Sequence, residues 1–439
     1  MTNSAAVRGS KDSGVTWIGY VPDDWDVVPA KTIFVERKAA SRPTDVHLTP
    51  SQQHGVLPQA EYMERTGNRV VLNLTGADAM RHVERGDFIS HLRSFQGGLE
   101  YSGLGGKVSA AYTVLRPRRD LDSGFFRYLV KSSRFIQALQ TTTEQLRDGQ
   151  SIRYAQIATL PFPFPPLVEQ RAIRDFLDRE TGEIDAFVRD QTELIGLLQE
   201  RRAATISHAV TKGLSPNEPL KPSGSTWLGR VPVGWTIQKL GWLAAVRNGS
   251  TPSRNESKYW LEGTVPWVSS TVANLSEVVA STEFVSPLAV QECHLPTIPP
   301  GSLLVGLTGQ GKTRGMVTRL RFASTINQHL AAVTLRRGLT PEYAYWVLTA
   351  AYDHLRFVSD GNGGTKGGLT CEELAALQVP VPALETQRSI ASSLEQAVAD
   401  IDLAIADGRT SILLSYERRS ALISAAVTGQ TDVRKHVGV

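Results

Sequence analysis

Two stretches of the chain carry apolar residues at alternating three- and four-residue spacing, which is the period of an α-helix. In the first stretch these positions are Ile173, Leu177, Ile184, Phe187, Leu194 and Leu198. The second stretch repeats the first without a gap when Gln170 is aligned with Gln387. At 1.5 Å per residue, an unbroken helix over 170–209 would be about 60 Å long. The pattern therefore predicts two long helices of related sequence.

Both helical stretches end in a common motif and follow a proline-rich segment. ERRAATISHAVT at 200–211 and ERRSALISAAVT at 417–428 share nine of twelve residues. The segments LPFPFPP and VPVP precede the two helices, and proline cannot continue a helix interior. We therefore expect a proline hinge before each helix.

A second repeat lies ahead of each helix and extends the duplication to the whole chain. SGVTWIGYVPDDW at 13–25 and SGSTWLGRVPVGW at 223–235 agree at eight of thirteen positions. A globular domain, a proline hinge and a long helix therefore occur twice. The predicted segments are a loose N-terminus at 1–13, a globular domain at 14–160, a hinge and helix at 161–215, a second globular domain at 216–379, and a second hinge and helix at 380–439.

The globular domains carry short β-rich segments, including DFISHL, AAYTVLR, SLLVGL and GMVTRLRF, separated by glycine-rich turns. Helical runs follow, FFRYLVKSSRFIQALQ in the first domain and PEYAYWVLTAAYDHLRF in the second. We therefore predict an α+β protein in which two mixed globular domains alternate with two long antiparallel helices, related by a pseudo-twofold duplication. Between the repeated ends the two domains differ strongly, which suits one frame that recognises two different targets.

Composition narrows the class of protein. The chain has 439 residues, 41% of them apolar, a net charge of +4 and two cysteines without metal-ligand spacing. Such a length suggests two to four domains, and the sparse cysteines fit a reducing compartment. The sequence has no apolar signal segment and no run of about eighteen apolar residues. We expect a soluble cytoplasmic protein with no membrane association.

Basic residues gather in two acid-free windows, one in each globular domain. No Asp or Glu lies between Glu100 and Asp120, or between Glu292 and Glu342. The basic residues in the windows are Lys107, Arg116, Arg118, Arg119, Lys312, Arg314, Arg319, Arg321, Arg336 and Arg337. Basic, glycine-rich segments suit contact with DNA phosphates and base edges. A solvated basic surface is the alternative, and the recurrence of the window in both halves favours DNA.

The sequence GLTGQGKT at 306–313 matches the phosphate-binding loop of nucleotide-binding proteins. That loop must open a helix whose N-terminus holds the phosphates, whereas RGMVTRLRF follows and alternates like a strand. The first half has no counterpart. We therefore interpret the segment as a basic loop between two strands, in contact with DNA.

A second candidate site resembles a metal-dependent nuclease, in which Asp23 and Glu36 would hold magnesium and Lys38 would orient the attacking water. The duplication argues against it, because Val246 and Asn248 stand where the second half should carry Glu36 and Lys38. A surface turn and a helix end is the simpler interpretation. The nuclease stays an alternative function, together with a helical scaffold protein that does not bind DNA.

At this point the chain resembles the specificity subunit of type I restriction–modification systems. The resemblance covers nearly the whole chain. Its most specific parts are PFPPLVEQRAI, VPVPALETQRSI and the two SGxTWxGxVPxxW openings. GDFISHLRSFQGGLEYSGLGGKVSAAYTVLRP in the first domain, and GTVPWVSS, GSLLVGLTG and INQHLAAVTLR in the second, are similar to target recognition segments of that family.

The resemblance implies two target recognition domains, each reading half of a split sequence in double-stranded DNA, with the helices as a spacer. It implies two docked methyltransferase (modification) subunits, with restriction subunits docked on those. It also implies a chain without catalysis or a cofactor of its own. S-adenosylmethionine would be bound by the methyltransferase subunits, and ATP and magnesium by the restriction subunits.

Candidate contact residues follow from side-chain chemistry, since Arg pairs with two acceptors on guanine and Gln with the donor and acceptor of adenine. The predicted DNA contacts are Arg93, Ser94, Gln96 and Lys107 in the first domain, and Gln310, Lys312, Thr313, Arg314 and Lys366 in the second. We expect residues 327–329 to fix the strand beside the second loop. The predicted methyltransferase contacts are Gln170, Arg171, Arg201 and Arg202, with their copies Gln387, Arg388, Arg418 and Arg419. Solvated helix charge is the alternative for this second set.

Overall fold

The computed structural model describes residues 8–70, 80–91, 97–142, 152–309, 311–360 and 367–435. The chain divides into two compact units. The first unit comprises Met1–Thr192 and Thr410–Val439, and the second comprises Glu193–Arg409. Each unit therefore combines one globular domain with parts of both long helices. This grouping differs from the predicted linear order of separate domains and helices.

The first unit contains twelve strands among its described residues. They are β1 (Ser10–Asp12), β2 (Tyr20–Pro22), β3 (Asp26–Pro29), β4 (Phe34–Glu36), β5 (Leu48–Ser51), β6 (Gly55–Pro58), β7 (Met80–Val83), β8 (Phe88–Ser90), β9 (Leu99–Tyr101), β10 (Gly106–Ser109), β11 (Val114–Pro117) and β12 (Pro161–Phe164). Its helices are α1 (Ala30–Ile33), α2 (Gln59–Thr66), α3 (Ser123–Leu129), α4 (Ser133–Thr141), α5 (Tyr154–Ala158) and the start of α6 (Leu167–Lys212).

The second unit begins and ends with the same order of elements as the first. Its strands are β13 (Leu220–Pro222), β14 (Arg230–Pro232), β15 (Thr236–Lys239), β16 (Ala244–Asn248), β17 (Val265–Val268), β18 (Glu277–Val278), β19 (Glu283–Val285), β20 (Leu303–Gly306), β21 (Val317–Leu320), β22 (Thr325–Ile326), β23 (Leu330–Leu335) and β24 (Gln378–Val381). Its helices are α7 (Leu240–Leu243), α8 (Pro287–Glu292), α9 (Pro341–Ala350), α10 (Tyr352–Asp360), α11 (Cys371–Ala376) and the start of α12 (Leu384–Val427). Short 3-10 turns lie at Ser257–Tyr259, Ser270–Asn274 and, in the first unit, Val433–Lys435. The orders of elements in the two units differ between β16 and β20.

A common sheet underlies both units although their sequences differ. The first unit has the strand order β4-β11-β8-β9, and the second has β16-β23-β20-β21, extended by β18. The pairs within each four-strand order are antiparallel. The predicted α+β class is confirmed. The shared strand order was not predicted from the sequence. We attribute it to burial and turn geometry, which preserve a sheet after its sequence has diverged.

The proline-rich segments are strands rather than hinges. Strand β12 pairs antiparallel with β3, and β24 pairs in the same way with β15. In β12 prolines alternate with Phe162 and Phe164, which are both buried. Side chains two residues apart lie on one face of a strand, so the phenylalanines enter the core. A two-stranded edge tolerates proline, and the predicted hinge is thereby corrected.

The N-terminal segment is ordered earlier than predicted. Strand β1 lies within the stretch 1–13 that was expected to be loose, and it pairs with β2. The Arg8 guanidinium contacts Asp24 at 2.6 Å and also pairs with the Glu169 carboxylate. Glu169 accepts a further hydrogen bond from the Trp25 indole at 2.9 Å. These contacts fix residue 8 onward against the start of α6.

The two repeated motifs meet in the core of each unit. In the second unit, Ile206 and Val210 near the end of α6 share a buried cluster with Trp235. In the first unit, Ile423 and Val427 near the end of α12 share a buried cluster with Trp25. A motif that closes a helix therefore packs with a motif that opens a domain. This shared packing gives a physical reason for their joint retention in both halves.

The two long helices are also joined by ion pairs in equivalent positions. Arg202 of α6 pairs with Asp402 of α12 at 2.7 Å in the second unit. Arg419 of α12 pairs with Asp185 of α6 at 3.2 Å in the first unit. In each unit, the N-terminal part of one helix lies with the C-terminal part of the other, as antiparallel pairing requires. Among the described helices, none is long and apolar enough to cross a membrane.

Candidate nucleic-acid interface

Seven of the nine predicted DNA contacts belong, by their position in the sequence, to corresponding connections of the common sheet. In the first unit this connection joins β8 to β9 through 91–98, and in the second it joins β20 to β21 through 307–316. Three predicted contacts fall in the first hairpin and four in the second. Arg93, Ser94 and Gln96 lie outside the described residues. The hairpin position itself is set by strands that the structure describes in both units.

The glycines of the second hairpin serve the turn between two strands. A Cβ atom at Gly306 would lie 2.2 Å from the Thr313 carbonyl oxygen, so only glycine fits there. Gly315 has a positive φ of 85° and donates its N–H to the Gly306 carbonyl at 2.8 Å. Strand β21 follows this loop directly. Within the described residues 311–320, turns and a strand follow the loop, and no helix opens whose N-terminus could hold phosphates.

Helix α10 holds the second hairpin through one face. The Tyr352 hydroxyl donates to the Lys312 carbonyl at 2.9 Å, and the Arg356 guanidinium donates to the Gly311 carbonyl at 2.6 Å. One turn further, Asp360 accepts from Arg314 at 2.5 Å. Side chains four residues apart lie on the same helix face. Sequence reasoning missed these three supports, although their regular spacing within YDHLRFVSD was visible.

The predicted contacts on this hairpin differ in accessibility. Lys312 is exposed, and Thr313 is half-buried. Arg314 is only 4% exposed and its guanidinium is held by Asp360. Burial and pairing make Arg314 a support of the loop, which corrects its predicted role as a base reader. Gln310 and Lys366 lie outside the described residues.

The second basic window is acid-free along the chain but contains ion pairs in space. Arg319 pairs with Glu395 at 2.9 Å and stacks over the Tyr345 ring at 3.8 Å. Arg321 pairs with Glu277 at 2.8 Å. These carboxylates come from distant parts of the sequence. The positive potential available to DNA is therefore smaller than the window suggested.

Lys107 lies on a strand of the first unit rather than in a loop. Strand β10 places it opposite His82 of β7, and it also bridges to His47. Burial, together with the neighbouring Lys107 ammonium, holds the pKa of His47 below its ordinary value. Lys107 is half-buried. The predicted loop position is corrected, and a contact of its charged end with phosphate stays a prediction.

The nuclease alternative finds no support in the first unit. Glu36 is paired with Arg81 at 2.6 Å and with Lys38 at 3.7 Å, so its carboxylate already balances two cations. Asp23 is exposed on a turn. Across the described ranges, no group of three or more His, Cys, Asp or Glu residues is placed to hold a metal ion.

Two predicted methyltransferase contacts are buried. Gln170 and Gln387 are both 0% exposed. Gln170 accepts from the Asp122 N–H at 2.8 Å and donates to the Pro165 carbonyl at 2.8 Å. Gln387 accepts from the Thr340 N–H at 2.9 Å and donates to backbone carbonyls at 2.8 and 3.0 Å. Each glutamine therefore joins a long helix to its globular domain, and the prediction of a surface role is corrected.

The repeated arginines divide into paired and exposed residues. The guanidinium groups of Arg202 and Arg419 are engaged by the opposite helix, as described above. The exposed arginines are Arg171, Arg201, Arg388 and Arg418, and of these Arg418 also lies 3.9 Å from the Glu180 carboxylate. Arg388 lines a shallow cleft of about 300 Å³ together with Glu342, Ala391, Ser392 and Glu395. Methyltransferase contact at these exposed positions stays a prediction.

Comparison with known proteins adds an independent line of information. Residues 232–406 match the family model described as the type I restriction modification DNA specificity domain. The specificity subunit of the type I restriction enzyme MjaIX from Methanocaldococcus jannaschii is 29% identical over 174 residues, which cover 38% of this chain and 39% of that subunit. The chain therefore spans about two fifths of that relative's length.

A longer alignment covers most of the chain. The putative type I restriction enzyme MjaX specificity subunit, also from Methanocaldococcus jannaschii, is 21% identical over 405 residues, covering 88% of this chain and 89% of that subunit. A chain from a solved structure of a type I restriction–modification system superposes with a TM-score of 0.71 at 16% identity, covering 94% of this chain and 99% of the other. At that identity the superposition shows the fold. The predicted resemblance is confirmed.

Proposed function

We propose that the chain, as a protein similar to type I restriction specificity subunits, selects the DNA sequence on which a methyltransferase and restriction complex acts. Each unit would read one half of a two-part site in double-stranded DNA. One observation supports this most directly: two units of divergent sequence share a four-strand order, β4-β11-β8-β9 in the first and β16-β23-β20-β21 in the second. A constant sheet with divergent hairpins suits recognition of two different half-sites.

The chemistry is assigned to partner subunits. Two methyltransferase subunits would dock on the long helices near the exposed arginines 171, 201, 388 and 418, and would carry S-adenosylmethionine. Restriction subunits, where present, would carry ATP and magnesium. The chain itself would contribute sequence recognition without catalytic groups. The expected compartment is the cytoplasm, where the DNA of a prokaryotic host lies.

The long helices would set the distance between half-sites. Helix α6 has 46 residues and α12 has 44, which corresponds to about 69 and 66 Å at 1.5 Å per residue. Half-sites on one face of DNA are separated by about 34 Å per helical turn. Two helices of this length suit a rigid spacer between two reading units.

The decisive experiment maps methylated adenines in host DNA with and without this chain, in cells that express the matching methyltransferase. A two-part sequence that loses methylation on deletion and regains it on re-expression would support the proposal. Adenine methylation that is unchanged in both conditions would contradict it. Deletion of the methyltransferase gene is the matched control, because it should abolish the same modified positions.

A second experiment tests the spacer. Four residues inserted at equivalent points of both helices, within 183–199 and 400–416, add about one helical turn. The methylated sequence should keep both half-sites and change the spacing between them by about one or two base pairs. The same insertion in the exposed connection 214–217 should leave the spacing as it is. Unchanged spacing in a stable helix-insertion variant would refute the spacer role.

A further inference from the structure

Four polar side chains from three loops of the second unit form a continuous chain of hydrogen bonds. The Thr251 hydroxyl contacts the Gln328 amide oxygen at 2.5 Å. The Gln328 amide nitrogen contacts His329 Nε2 at 3.3 Å. His329 Nδ1 contacts the Thr308 hydroxyl at 2.9 Å. We call Thr251, Gln328, His329 and Thr308 the polar relay. Thr308 belongs to the hairpin 307–316, so the relay adjoins the predicted reading loop.

With the Gln328 amide oxygen on the Thr251 side, the hydrogen bonds of the relay all run in one direction. An amide nitrogen can only donate, so His329 Nε2 must accept from Gln328. A neutral imidazole that accepts at Nε2 carries its proton at Nδ1 and donates it to Thr308. At the other end, Thr251 donates its hydroxyl to the Gln328 oxygen. The orientation of the Gln328 amide is therefore set by its neighbours on both sides.

Gln328 keeps hydrogen-bonding capacity after its internal bonds are counted. A side-chain amide has two N–H donors and an oxygen with two lone pairs. Thr251 uses one lone pair and His329 uses one N–H. One donor and one acceptor remain, on a side chain that is exposed. That combination fits an acceptor atom of DNA, either a phosphate oxygen or a base edge.

The loops that carry the relay are themselves held by backbone contacts. Two tryptophan indoles bind the loop that contains Thr251, with Trp267 donating to the Ser250 carbonyl at 3.1 Å and Trp260 to the Ser253 carbonyl at 3.0 Å. The His329 backbone N–H is held by Asn327 Oδ1 at 3.1 Å. Because these contacts already hold the loops in place, DNA binding would cost little conformational entropy at this surface.

We propose that Gln328 is a DNA-contacting residue of the second unit, and that Thr251 and His329 are positioning residues that orient its amide. The remaining N–H would donate to an acceptor atom of the DNA half-site. This inference rests on the proposed function and adds a contact that lies outside the hairpin residues predicted from sequence. It also connects that contact to the hairpin through Thr308.

The first test replaces Gln328 with Leu, which keeps a similar volume and removes the amide. The complex with the methyltransferase is titrated with duplexes that carry the mapped site and with duplexes changed at each position of the second half-site. We expect affinity for the mapped site to fall roughly 5- to 100-fold. Gln291→Leu is the matched control, because Gln291 is exposed on α8 of the same unit, and its affinity should stay at the wild-type value.

The pattern across duplexes identifies the atom that is contacted. If Gln328 reads a base, Gln328→Leu loses discrimination at one position. If it binds phosphate, affinity falls equally for all duplexes. Both outcomes support a DNA contact. Affinity and discrimination that match wild type in a folded Gln328→Leu complex would overturn it. A wild-type complex that shows no preference for any two-part site would instead contradict the proposed function itself.

The second test addresses the positioning role. Thr251→Val removes the hydroxyl while keeping the shape of the side chain, so Gln328 loses one of its two orienting partners. Thr251→Val should reduce DNA affinity when Gln328 is present and have little further effect in the Gln328→Leu background. A double-mutant cycle measures this coupling directly. Additive losses would show that Thr251 does not act through Gln328 and would overturn its positioning role.

Discussion

Replacement of Gln387 by Met should strongly destabilise the junction between the second globular domain and helix α12. Methionine fills a similar volume with an apolar chain but cannot accept or donate the bonds of the amide. The Thr340 N–H and the carbonyls of Gly338 and Pro382 would lose their partner. Because Gln387 is 0% exposed, water cannot take the place of its amide without local opening.

The size of the loss follows from the burial of these three backbone groups. The bond to Pro382 is fully buried, and the bonds to Thr340 and Gly338 are partly buried. A buried group left without a partner costs about 1–3 kcal/mol. About 2 kcal/mol for Pro382 and about 1 kcal/mol for each of the others gives a loss of about 4 kcal/mol. That loss is a large fraction of the stability of an ordinary domain.

The assay combines thermal unfolding with hydrogen exchange at the Thr340 amide. The variant should unfold at a lower temperature, and exchange at Thr340 should accelerate because its acceptor is gone. Gln396→Met is the matched control, since Gln396 lies exposed on the same helix. Its side-chain amide donates a hydrogen bond to the Asp400 carboxylate at 3.0 Å. The effect of Gln396→Met should stay within about 0.5 kcal/mol. A loss below about 1 kcal/mol for Gln387→Met would refute the reasoning from buried backbone groups.

Two further predictions follow from local features of the second unit. His354 stacks on Trp227 at 6.1 Å, and burial lowers its pKa below the ordinary value of 6.5. Its contribution to stability is therefore complete above pH 6.5 and is lost as pH falls through the lowered pKa. Urea denaturation at about pH 7.5 and 5.5 should show a weaker pH dependence for His354→Gln than for wild type. Gly306→Ala should lower the free energy of unfolding by about 1–3 kcal/mol, because the new Cβ atom would clash with backbone across the hairpin. In the same denaturation assay Gly311→Ala should be nearly neutral, since a Cβ atom at Gly311 has no neighbour within 4 Å.

The repeated parts of the fold were predictable because residues that are identical in the two halves mark the positions that both long helices and both domain openings share. Helical periodicity placed both long helices, and the observed elements begin at Leu167 and Leu384. The common sheet was not predictable from alignment, since strands of three or four residues carry too little sequence signal. Only the observed strand order shows that β8–β9 and β20–β21 are equivalent.

The candidate site was predictable to the level of a loop, and less well to the level of a side chain. Lys312 and Arg314 are both basic residues in a glycine-rich segment, so composition treats them alike. Their environments differ because Asp360, distant in sequence, covers one and leaves the other exposed. Gln170 and Gln387 show the same limit of prediction from sequence. Their repetition in both halves indicated that they matter, and their complete burial shows that their role is structural.

The first unit is built from two separate stretches, Met1–Thr192 and Thr410–Val439, which affects the order in which the two units fold during synthesis. The core around Trp25 contains Ile423, Ala426 and Val427, which are synthesised after the whole of the second unit. The second unit, being continuous from Glu193 to Arg409, can complete its core earlier. The domain translated first would therefore finish folding last and expose apolar surface in the interval. A nascent chain stalled when Arg409 has emerged from the ribosome and Ile423 has not should accordingly recruit chaperones to the first unit.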